Sequence, residues 1–191
     1  MTPLLADMGI PMIMLELPAM AILFVPVVLL ESFVVNRSLG IGFSKAGSGL
    51  FLANLASTIL GFPLAWIVML GVELASGAAF MGVTHFFPAI EHVCFNSPIL
   101  RIASVPFVAA WVPGDEAWQI LIAAAVLLIP TFYISVWIER RICVWVWASE
   151  VSDTTSAVGK AVRKANVVSY VFLYAILVFY VVYQSVAHGS K

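Results

Sequence analysis

One carboxylate, Glu31, interrupts an otherwise uncharged and mostly apolar run from Ala21 to Val35, and two matched pairs, Asn54 with Ser57 and Asn166 with Ser169, each set an amide and a hydroxyl three residues apart. On a helix that spacing puts both groups of a pair on a similar face. An ionised carboxylate in such a run is costly, so Glu31 must take a proton, face the interior of a bundle, or pair with a cation such as Arg140 or Arg141. It sits roughly 8 Å inside the apolar stretch if the helix ends near Arg37. A proton or cation relay normally needs a second buried ionisable group, and none of the four apolar spans clearly supplies one. A structural ion pair or a snorkelled carboxylate is therefore the expectation for Glu31. Hydrogen-bonding glue between helices, at about 0.6 kcal/mol per bond, is the expectation for the Asn and Ser groups.

His85, Glu91 and His92, with Cys94 close by, are the only cluster of metal-ligand types. A zinc-like ion would need three or four of them to converge, their spacing matches no HExxH pattern, and solvated connection residues are the plainer reading. There is no CxxC, no haem-attachment motif and no recognisable cofactor fingerprint. No catalytic constellation can be assigned.

These groups must be positioned by membrane-spanning helices. Of the 191 residues, 63% are apolar and 10% charged, and the mean hydropathy is +1.08, far from the balance of a water-soluble domain. Spans of about 20 residues are expected at about 17–36, 50–72, 117–138 and 167–187. The start lacks the basic region of a secretory leader, so the first span is expected to stay as an uncleaved anchor. The expected fold is an all-α membrane bundle forming a single integral membrane domain.

Seven of the nine cations, Arg37, Lys45, Arg140, Arg141, Lys160, Arg163 and Lys164, fall in the two connections 37–49 and 139–166. Short cationic loops resist translocation, which makes that side the cytoplasm and puts both termini outside, as in a bacterial inner membrane. Arg140, Arg141, Lys160, Arg163 and Lys164 are expected to contact lipid or a partner. Trp137, Trp145 and Trp147 add an aromatic belt beside them. The outer connection, about 75–116, is rich in Phe and is expected to lie on, or re-enter, the outer leaflet. In this topology Cys94 and Cys143 lie on opposite sides and cannot pair.

The halves resemble one another. Ala21, Leu23, Pro26 and Arg37 fall opposite Ala125, Leu127, Pro130 and Arg141 without a gap, and Asn54/Ser57 fall opposite Asn166/Ser169. Two tandem hairpins of the same orientation would give this pattern, related by an axis along the membrane normal. Small residues recur every four positions in span two, from Gly49 to Ala65, and at the entry to span four, from Ala157 to Ser169. Such faces let helices approach closely: either spans two and four cross there, or each face packs on the other helix of its own hairpin.

Three function classes follow. Composition favours a non-catalytic structural or accessory subunit, packed against lipids and other membrane subunits or against copies of itself. A small oligomeric transporter or channel built on Glu31 and the Asn/Ser groups is the alternative. A membrane enzyme with a site on the outer connection, around His85, Glu91 and His92, is third. Net charge of −1 gives no reason to expect nucleic acid.

Overall fold

Inside a bilayer every backbone N–H and C=O must be paired within the protein, and this chain meets that demand with helices. The computed structural model describes residues 11–87, 97–111, 117–151 and 154–189, and no strand of a sheet occurs among them. Helix α1 is Met12–Leu39, and α2 is Phe43–Ala56. A π-turn, Ser57–Gly61, leads from α2 directly into α3, Phe62–Phe86. The short α4, Pro98–Ser104, and a 3-10 turn at Val105–Phe107 precede α5, Ala117–Val146. A second π-turn, Thr154–Val158, opens onto α6, Gly159–Gly189. Four candidate spans result: within α1, within the rod α2–α3, within α5 and within α6.

Local chemistry explains the boundaries. Gly40 adopts the left-handed φ of 69° that ends α1, donating its N–H to Asn36 O at 2.9 Å, while Asn36 Nδ2 donates to Ile41 O. Pro63 has no N–H and its ring needs room in the preceding turn; the chain widens there, with Phe62 N–H reaching back five residues to Ser57 O. The rod from Phe43 to Phe86 is 44 residues long. At 1.5 Å per residue it runs roughly 66 Å, about twice the hydrocarbon thickness. The first part of the expected outer connection is therefore helix, up to Phe86.

The four long elements stand at the corners of a square. Helix α1 packs on α2 and α6, and α5 packs on α6 and on the α2–α3 rod, so α1 and α5 face each other across one diagonal. Spans two and four occupy the other diagonal, so of the two expected packings their crossing is not the one formed. The small residues of α2 seat α5 instead: a β-carbon at Gly49 would fall 2.7 Å from Trp147 Cζ2, and one at Gly61 would fall 3.2 Å from Ile134 Cγ2.

Two apolar clusters fill the ends. At the cationic end, Val35, Leu50, Cys143, Trp147, Val158 and Val162 form the heart of one. At the far end, Val105, Ala109 and Ala110 fold onto Met12, Met69 and Leu127, and Trp66 Nε1 donates to Ala110 O at 2.6 Å. Large apolar side chains such as Ile22, Ile59, Ile67, Val171 and Phe179 point outward, while carboxylates and amides lie inside. The polarity is inverted relative to a water-soluble bundle, as in a multi-pass membrane protein.

Candidate functional site

Between the two apolar clusters the square is crossed by a ring of six polar residues, one or two from each corner. Glu31 on α1 accepts from Asn54 Nδ2 of α2 at 2.6 Å and from Ser169 Oγ of α6 at 2.6 Å. Across the diagonal, Glu139 on α5 accepts from Asn166 Nδ2 of α6 at 2.6 Å and from Ser57 Oγ of the π-turn at 2.7 Å. Both glutamates are only 1% exposed. Each thus binds the amide of the helix that follows it in the chain and the hydroxyl of the other half.

The serines close the ring. Ser57 Oγ also lies 3.1 Å from Asn54 O, and Ser169 Oγ lies 3.0 Å from Asn166 O. The amides are held alike, Asn54 Nδ2 donating to Leu50 O at 3.0 Å and Asn166 Nδ2 to Val162 O at 3.2 Å. A serine has one proton to give. When a glutamate is ionised, the hydroxyl donates to it; when the glutamate carries a proton, its O–H donates to the serine oxygen and the serine donates to the asparagine carbonyl. Both states keep the carboxyl and hydroxyl groups of the ring bonded with the heavy atoms in place.

No protein family, curated protein or solved structure matches this chain.

A cavity of ≈ 30 Å³ opens beside the ring, with Glu31, Glu139, Ser57, Thr131, Ser135 and Tyr170 in its wall. That is space for about one or two water-sized groups. Tyr170 OH donates to Ser135 Oγ at 3.2 Å, and Thr131 Oγ1 donates to Leu127 O at 2.7 Å. The apolar part of the wall, including Met20, Leu23 and Leu173, extends from the ring toward the far end. On the cationic side the ring is backed by the buried Val35, Leu50, Cys143 and Val162. Asn166 Oδ1 is buried without a hydrogen-bond partner, an acceptor left over in the ring.

Glu139 corrects the expectation that no span offers a second buried ionisable group. Helix α5 continues to Val146, past the expected end at 138, and carries Glu139 into the core. Glu31 bonds to neutral Asn and Ser groups rather than to Arg140 or Arg141, both of which are exposed. Among the described residues the one ion pair is Lys45–Glu150, at 2.7 Å near the cationic end. Lys160, Arg163 and Lys164 are exposed along the first turns of α6. Of the three tryptophans of the expected belt, Trp137 and Trp145 are exposed, whereas Trp147 is buried and its Nε1 donates to Lys45 O. Glu91, His92 and Cys94 lie outside the described residues. His85 is exposed on α3, and no three His, Cys, Asp or Glu side chains converge among the described residues.

Proposed function

We infer that this protein moves a small divalent cation across the membrane in exchange for protons, with Glu31 and Glu139 as the binding residues. The observation that carries this reading is the ring itself: two carboxylates buried between four helices, each bonded by neutral donors from both halves of the chain. Two negative charges in such a core need compensating positive charge, and among the described residues no arginine or lysine supplies it. One divalent cation or two protons would do so equally. In an exchange cycle two carboxyl protons leave as the cation enters, and net charge in the site is unchanged.

The donors around the cavity are carboxylate, hydroxyl and amide oxygens, which suit hard ions such as Mg²⁺, Ca²⁺ or Mn²⁺. The serine switch supports proton exchange without rearrangement. The apolar cluster behind the ring supports a gate on the cationic, cytoplasmic side. The reciprocal bonding also supports two tandem hairpins, whose relative rocking would carry the site from one face to the other. An accessory subunit, the reading composition favours, leaves the two carboxylates without a purpose, since packing alone holds apolar helices at lower desolvation cost.

The test is flux in liposomes containing the purified protein, with a pH-sensitive dye inside and Mg²⁺, Ca²⁺ or Mn²⁺ added outside. Proton release coupled to cation entry is expected, and it should vanish in Glu31→Gln and Glu139→Gln. Absence of coupled flux with all three ions, or full flux in either variant, overturns the proposal.

A further inference from the structure

On the outer side of α5, one residue beyond Glu139, the structure holds a second polar feature that the cation site does not use. A cleft of ≈ 400 Å³ is lined by Trp137, Arg140, Arg141, Val144 and Thr155, between the last turns of α5 and the turn that opens α6. Each arginine is fixed there by something other than an acid. Arg141 stacks its guanidinium on the Trp137 ring, 4.2 Å from the centroid. Arg140 passes close to Gly159, where a β-carbon would fall 2.8 Å from Arg140 Nε and 3.3 Å from Cζ. Glu139, the nearest carboxylate in sequence, turns inward to Asn166 and Ser57. Neither guanidinium has an acidic partner among the described residues.

We propose that this cleft binds the phosphate of an anionic phospholipid headgroup. Two forks of N–H donors, positioned in advance and with no acidic partner among the described residues, match phosphate oxygens, and a zwitterionic headgroup would bring its own cation beside them. The Thr155 hydroxyl supplies a further donor. Trp137 and Val144 give an apolar wall continuous with the lipid-facing side of α5, which favours a headgroup with its chains attached over free phosphate. Gly159 belongs to the site because any side chain there would displace Arg140.

The test uses the full-length protein, delipidated in mild detergent, and reads lipid adducts by native mass spectrometry together with the thermal midpoint. Phosphatidylglycerol should bind and raise the midpoint, while phosphatidylcholine with the same chains and inorganic phosphate should do neither. Arg140→Gln and Arg141→Gln should each weaken phosphatidylglycerol binding by about tenfold. Arg141→Lys, which keeps the charge and the fold but loses the planar fork, should fall between. Gly159→Ala should copy Arg140→Gln, and Lys45→Gln should match wild type. Equal binding of the two lipids, or unchanged binding in both glutamine variants, overturns the site; a response to inorganic phosphate equal to that of the lipid overturns the lipid assignment. No flux is read, so the outcome is independent of the cation site.

Discussion

Ser57 Oγ lies 2.7 Å from Glu139 Oε1 although 82 positions separate them, and Ser169 Oγ lies 2.6 Å from Glu31 Oε1 across 138 positions. The two bonds are mirror images in chain terms: each half lends its hydroxyl to the other half's acid. This reciprocity ties packing and chemistry together, because the bonds that join the halves are the ones that surround the site.

Glutamine at either acid should separate folding from function. In Glu31→Gln the amide nitrogen can donate to Ser169 Oγ and the carbonyl can accept from Asn54, which reproduces the protonated ring. The thermal midpoint in detergent should stay within about 4 °C of wild type. Proton-coupled flux should fall by at least about tenfold, corresponding to more than about 1.4 kcal/mol in the limiting step.

Pairwise coupling should follow the bonds. A double-mutant cycle of Ser57→Ala with Glu139→Gln should show an interaction of about 0.5–1 kcal/mol in unfolding free energy. The cycle of Ser57→Ala with Glu31→Gln should give less than about half of that, because Ser57 bonds Glu139 and not Glu31. Equal coupling in both cycles would contradict the ring.

Gly49→Ala should destabilise the bundle by about 1–3 kcal/mol, because the new methyl meets Trp147 Cζ2 at 2.7 Å, well inside contact distance. Adding Trp147→Phe should give a double variant less destabilised than the sum of the singles. Denaturation in mixed micelles measures all three.

Lys45→Ala should change stability by less than about 1 kcal/mol, since Lys45 and Glu150 are both well exposed and the pair is screened. Raising salt should leave the midpoint of wild type nearly unmoved for the same reason.

Five of the ring's six residues are legible in the sequence, Glu31 because it charges an apolar run and the others because Asn54/Ser57 and Asn166/Ser169 repeat one spacing. Glu139 is not, because Arg140 and Arg141 follow it and the trio reads as the start of a polar loop. Helical geometry resolves the ambiguity: successive residues turn by about 100°, so one carboxylate can face the core while the two guanidiniums after it face outward. The similarity of the two halves hides it for a related reason. A gap-free pairing of the first and third spans sets Glu31 against Ser135, one helical turn short of Glu139. The glutamate-to-asparagine separation is 23 positions in one half and 27 in the other. The helix count was readable from hydropathy; the square arrangement was not, because apolar faces in lipid do not declare their neighbours.

The shared shell also sets an order of events during synthesis. Once α1 and α2 have entered the bilayer, Glu31 has its asparagine but not its serine, which belongs to α6 and is made later. A nascent chain stopped before Ser169 therefore leaves an incompletely coordinated acid between lipid-facing helices. Insertion of α6 supplies the missing hydroxyl, so the acid of α1 is fully bonded only after the second of its two partner helices has joined the bundle.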